Sequence, residues 1–200
     1  MKPASMKTAS TKVPAMTIPV LETERLILRD WREGDFETCA EFMTDPDVMR
    51  FLGGVPQSRA DAWRGVAVWI GHWILRGYGF WAVERKEDGA FIGRIGLWNP
   101  EGWPGMEVGW TLGRPYWGKG YATEAGRASM DYAFENFPIA KLLSVIHPDN
   151  TQSQVVAARL GETRGPRQEV SFGGRTFPAD IWSITRARWA QLRPAALPPM

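Results

Sequence analysis

The sequence predicts an α+β fold: one mixed, largely antiparallel sheet of about seven strands with about four helices on its faces. Two observations carry this. Three strand-like runs, 79–86, 90–99 and 106–113, follow one another with only short links, the first of which, KEDGA, reads as a hairpin turn. One strand–helix–strand unit, 106–148, then requires a crossover, which places a single parallel pair in an otherwise antiparallel sheet.

LETERLILRDW (21–31) alternates and predicts the first strand. Residues 32–54 read as one or two short helices ended by Gly53-Gly54, and 58–77 as a longer helix with Ser58 as N-cap and Gly77 as its stop. After the three meander strands, a helix over about 119–137 carries Tyr121, Ala125, Ala128 and Tyr132 on one face. KLLSVIHP (141–148) is a buried strand, and NTQSQVVAARLG a helix that Gly161 closes. Two strands, around 166–173 and 177–188, complete a single domain over 19–190. The polar, Pro-containing segments 1–18 and 191–200 read as disordered or loose tails.

Composition narrows the function classes. With 44% hydrophobic and 23% charged residues the chain has the apolar content for a core, and a net charge of +2 argues against a dedicated nucleic-acid binder. Cys39 is the only cysteine, so neither an intrachain disulfide nor a cysteine-based zinc site is available. No apolar run is long enough to span a bilayer and the N-terminus has no apolar signal core; the expected location is the cytoplasm, with no membrane or nucleic-acid partner.

GRPYWGKG (113–120) comes within one residue of the nucleotide-binding loop G-x-x-x-x-G-K-[ST]. Gly120 has no hydroxyl to hold magnesium and the preceding strands form a meander, so an ATP site is the weaker reading. A strand that ends in glycines where a helix begins is also a site for another phosphate, because the first helical N–H groups have no partner inside the helix. From the loop alone, a phosphate cradle and a bare turn stay level.

MEVGWTLGRPYWGKGYATEA, HPDNTQS and ARLGE together resemble the GNAT superfamily of acyl-CoA-dependent N-acetyltransferases, closest to the Rim-type branch that acetylates ribosomal-protein N-termini and its small-molecule relatives. The resemblance spans about residues 20–188. It implies a pyrophosphate loop at Trp117, Gly118, Lys119, Gly120, Tyr121, Ala122 and Thr123, where Trp117 replaces the family's Gln or Arg and removes a side-chain donor. It also implies that the strand 106–113 is bulged at Gly109 and splayed from the next parallel strand. Backbone groups at Gly109, Trp110, Thr111 and Leu112 would then serve pantetheine and the acetyl carbonyl, with Asn150 and Ser153 holding the pantetheine arm. The cosubstrate is acetyl-CoA, no metal is implied, and a homodimer is admitted.

Acyl transfer to an amine needs a base, because an amine with a pKa of about 10 is almost wholly protonated at neutral pH. The resemblance makes Glu107 the first candidate, since many relatives carry a catalytic glutamate just before the bulge, against the reading of a solvated strand carboxylate; Glu169 is a weaker one, after the late-strand glutamate of some Rim-type relatives. His147 ends a strand and could relay a proton, or simply bond the backbone. The helix after Asn150 lacks the acid tyrosine of many relatives, so Ser153 or water would protonate the thiolate. His72 reads as structural. Trp98, Trp103 and Trp110 cluster near the proposed cleft, to wall an acceptor pocket or fill the core. The reading is acetyl transfer from acetyl-CoA to a primary amine by direct attack in a ternary complex. A non-catalytic acyl-CoA sensor is the rival.

Overall fold

The computed structural model describes residues 17–172 and 174–193. One sheet of eight strands has the spatial order β1-β2-β3-β4-β5-β6-β8-β7. In chain order these are β1 (Leu21–Glu22), β2 (Leu26–Arg29), β3 (Phe80–Arg85), β4 (Phe91–Trp98), β5 (Glu107–Leu112), β6 (Lys141–Ile146), β7 (Thr163–Phe172) and β8 (Arg175–Thr185). Every pairing is antiparallel except β5 with β6. Among the described residues six α-helices accompany it: α1 (Asp35–Thr44), α2 (Pro46–Met49), α3 (Arg59–Arg76), α4 (Tyr121–Asn136), α5 (Thr151–Arg159) and α6 (Arg186–Leu192).

Alternation along β3 sorts the core. Phe80 and Ala82 pack with Cys39, Met43 and Trp69 of α1 and α3, while Trp81 and Val83 pack with Ala125, Met130 and Ala133 of α4 on the other face. α3 is capped as its sequence predicts: Ser58 Oγ accepts from Asp61 N at 3.2 Å, and Gly77 is left-handed at φ 75°.

Two expectations are corrected. The single strand 21–31 is two short strands, because Thr23 turns the chain: its hydroxyl accepts from Leu26 N (3.0 Å) and is bound by the Glu124 carboxylate of α4 (2.6 Å). The expected last strand stops at Thr185, whose side chain caps α6 by accepting from Arg188 N (3.2 Å); α6 then buries Trp189, with its indole donating to Asp131 (3.0 Å). α1 and α2 are the two short helices within 32–54, as expected, and α6 is added after β8. Most of the expected tails, 1–16 and 194–200, lie outside the described residues, whereas Arg193 is held by Asp131 and Glu135.

Candidate active site

The site forms where β5 and β6 part. They share one bridge, Glu107 opposite Leu143, with Leu143 N donating to Met106 O at 3.0 Å. Beyond it, side chains replace the ladder. Val145 N donates to the Glu107 carboxylate (3.2 Å), and the Ser144 hydroxyl donates to Val108 O (2.8 Å). A cleft of about 1360 Å³ opens there, lined by β4, β5, the loop after β5, the start of α5 and the α1–α3 side.

Register decides which backbone groups of β5 face this opening. Gly113 N donates to Ile92 O, so in this antiparallel pair the odd residues 107, 109 and 111 bond to β4 and the even ones turn toward β6. Val108 O is taken by Ser144 and Leu112 O by the Trp117 indole (2.7 Å), which leaves the N–H and C=O of Trp110 turned to the opening between them. The backbone of Gly109 and Thr111 instead serves the β4 ladder. The expected bulge at Gly109 is absent: β4 and β5 pair without a shift from Gly93–Leu112 to Trp98–Glu107. A Cβ on Gly109 would stand 3.1 Å from the Phe80 ring, so the glycine answers a close ring rather than a bulge.

The loop runs from Leu112 through a short 3₁₀ turn, Arg114–Tyr116, to Gly120, which caps α4. Gly118 and Gly120 have φ of +74° and +82°, a region that side chains resist. The first helical bond is Glu124 N to Gly120 O, so the amides of Tyr121, Ala122 and Thr123 lack helical partners, as at any helix start. Behind them Arg25 braces the loop. It donates to Lys119 O (3.0 Å) and to Glu124 (2.7 Å), and its guanidinium lies 4.6 Å from the Tyr121 ring centre. No local pattern pointed to Arg25 or Glu124, because they meet across about a hundred residues of chain. The buried hydroxyls Thr111 Oγ1 and Thr123 Oγ1 have no protein partner, and both residues line the cleft.

Glu107 is buried, not a solvated strand carboxylate. Burial raises its carboxyl from 4.5 to about 7, against the lowering pull of the Val145 N–H, the Trp103 side chain and the charge on Arg94. Asn150 caps α5, its Oδ1 accepting from Ser153 N (3.1 Å), and Ser153 Oγ accepts from the Trp110 indole (3.2 Å). His147 lines the cleft beside Phe51, with Nδ1 accepting from Asp149 N (3.2 Å). Glu169 is exposed on β7, opposite Pro178, and does not line the cleft. His72 is structural: Nδ1 donates to Tyr78 O (2.7 Å) and Nε2 accepts from Asn99 N (3.2 Å). Cys39 is buried with its thiol pushed up to about 12, so it is a poor nucleophile.

The sequence reading missed two charged residues here. Glu162, just past α5, is buried beside Ser144 Oγ at 3.1 Å, and burial raises its carboxyl to about 8. Arg94 on β4 reaches the cleft between the rings of Trp69 and Phe80. Arg94 has no motif, and Glu162 ends the ARLGE segment but had no role assigned to it; alternation in β4 and a charge straight after Gly161 were the available signals.

A sheet that opens beside its one parallel pair, next to a glycine loop at a helix start, is the architecture of acyl-CoA-dependent acyltransferases. Residues 25–163 match the family described as Acetyltransferase (GNAT) domain, and the chain belongs to that family. It is 35% identical over 149 residues to the uncharacterized protein YkkB of Bacillus subtilis (strain 168), covering 70% of this chain and 83% of that one. The crystal structure of the acetyltransferase from Agrobacterium tumefaciens str. C58 superposes with a TM-score of 0.75 at 32% identity, covering 85% of this chain and 96% of that one. The fold also matches spermidine N-acetyltransferase from Vibrio cholerae, solved with CoA and spermine, at a TM-score of 0.67 and 17% identity over 84% of this chain and 99% of that one. The protein is thus an N-acetyltransferase by family. No helix among the described residues is long and apolar enough to cross a membrane, and no group of acidic, His or Cys side chains among them could hold a metal ion.

Proposed function

We propose that the protein transfers acetyl from acetyl-CoA to a primary amine by direct attack in a ternary complex, with Glu107 as the base. The observation that carries this is a buried carboxyl of pKa about 7 at the point where β5 and β6 diverge. A base poised there is ionised often enough at neutral pH to take a proton and basic enough to hold it.

The unpartnered amides at the start of α4 and the αL glycines 118 and 120 suit the cosubstrate's pyrophosphate. Trp117, the position of the family's Gln or Arg, contributes rigidity: its indole ties the loop to Leu112 O. The free N–H and C=O of Trp110, with Thr111 Oγ1, Thr123 Oγ1 and Asn150, supply polar partners for pantetheine and the acetyl carbonyl. The amine nitrogen attacks the thioester carbon, the N–C bond forms and the C–S bond breaks. Glu107 takes the amine proton, and Ser153, whose oxygen already accepts from Trp110, keeps its own proton to donate toward the thiolate. His147 also lines the cleft and is partly exposed, and in this reading it relays the proton from Glu107 to solvent.

A thermal-shift series with acetyl-CoA, CoA and Mg-ATP tests the loop, and CoA release with a panel of amines tests turnover. Ligand at about a hundred times its Kd adds about 2.7 kcal/mol. Both CoA forms should stabilise and Mg-ATP should not. Binding of acetyl-CoA without CoA release by any amine would leave a sensor rather than an enzyme.

A further inference from the structure

The α1–α3 side of the cleft holds a cation with no counter-charge in contact. Arg94 lies with its guanidinium carbon 4.3 Å from the Trp69 ring centre and 4.0 Å from that of Phe80. Among the described residues it makes no hydrogen bond and no ion pair. Arg64, which also lines the cleft, pairs instead with Asp61. The two acids whose fields reach Arg94 are Cys39, a neutral thiol, and Glu107, which forms no contact pair with it. Burial lowers the guanidinium only to about 10, so it stays charged.

Two aromatic faces hold such a cation in place but use none of its five N–H donors. Arg94 is half-buried and its N–H groups are not closed off from the cleft, so an entering ligand can reach them. The planar fork of a guanidinium matches a carboxylate, which accepts two parallel bonds from it. Register sets the distance between this anion receptor and the base. Arg94 pairs with Thr111 and Glu107 with Trp98; between these two pairs lies the Gly96–Gly109 pair, so both side chains rise from the same face of the β4–β5 ribbon, and the Phe80 ring leans over the glycines between them. That ring is the surface along which a small molecule would lie with one end at each charge. The Trp69 and Phe80 faces are already occupied by Arg94, so a polycationic acceptor would meet a like charge where it would otherwise stack.

We propose that the acceptor is a small primary amine that also carries a carboxylate, Arg94 receiving the carboxylate while the amine faces Glu107. The inference rests on the acetyltransferase reading above, and the carboxylate is unchanged in the reaction.

The test is CoA release with matched amines, each as the free carboxylate and as its primary amide, together with a polyamine and a peptide N-terminus. The wild type should favour the carboxylate form at least about tenfold in kcat/KM, and Arg94→Met should lower that form about a hundredfold while moving the amide less than about threefold. Arg94→Lys should keep part of the preference. Equal turnover of carboxylate and amide, or preference for the polyamine or the peptide, overturns the inference and leaves the acetyltransferase reading intact. If no amine releases CoA, that reading fails instead. The carboxylate site is then read on the wild type alone: an arylalkanoic acid should raise Tm and its amide should not, and the same shift from both overturns the inference.

Discussion

Replacing Glu107 by Gln keeps the shape of the side chain and removes its proton-accepting form. The environment that raises the carboxyl from 4.5 to about 7 sets two magnitudes. At about 1.36 kcal/mol per unit, holding the ionised carboxylate in the fold costs about 3 kcal/mol relative to the unfolded chain. Because the folded value lies above the unfolded one, the stability linked to this group is present below about pH 4.5 and is lost as pH rises through about 7. The wild type should therefore lose Tm across that window and Glu107→Gln should lose less. In catalysis, a general base contributes about a hundred- to ten-thousandfold. For the wild type, log kcat/KM should climb with a slope of about two below pH 7, while both Glu107 and the amine titrate, and about one from there to the amine's pKa near 10. For Glu107→Gln the slope should be about one throughout, with kcat/KM down about a hundredfold or more at pH 8. The assay is thiol release followed with a disulfide reagent; Cys39, buried and pushed up to about 12, will not add to that signal. A variant within about threefold of wild type at every pH, or one that keeps the break near pH 7, refutes Glu107 as the base.

Gly120→Ala places a side chain at φ +82° and should cost about 1 kcal/mol or more in urea unfolding, while raising KM for acetyl-CoA about tenfold through displaced amides. Trp117→Phe removes the indole bond to Leu112 O and should raise KM for acetyl-CoA several-fold with kcat nearly unchanged, in steady-state kinetics at saturating amine. Glu162→Gln tests a second buried carboxyl. One Ser144 hydroxyl hydrogen cannot serve both Val108 O and Glu162, so a protonated Glu162 donates to Ser144, in keeping with a carboxyl raised to about 8 by burial and by the charge of Glu107. Its folded value is raised, so its contribution fades between about pH 4.5 and 8. Glu162→Gln should match wild-type Tm near pH 5 and exceed it near pH 9, whereas identical pH–Tm curves would show the carboxyl is not held neutral.

Local chemistry made much of the framework legible. The caps Ser58, Gly77 and Asn150 act within a few residues of themselves, so their pattern is their cause. The same holds for the glycines that end β5 and open α4, and for the meander that carries β3, β4 and β5. Failures came where a distant residue decided. Thr23 looked like one alternation within a strand until Glu124 took hold of its hydroxyl. The run past Thr185 looked extended until Trp189 found the surface of α4.

The sequence by itself determined the β3–β5 meander, the helix caps and the glycine-rich turn into α4, because each is written in neighbouring residues, whereas the roles of the loop and of Glu107 came from the resemblance to the GNAT family. Tertiary structure alone decided that β5 and β6 share a single bridge, that the opening is faced by Trp110's backbone rather than Gly109's, that Glu107 is buried enough to titrate near 7, and that Arg94 stands in the cleft without a carboxylate. Those properties depend on register, on solvent exclusion and on which side chains arrive from elsewhere, and none of the three is a function of neighbouring letters.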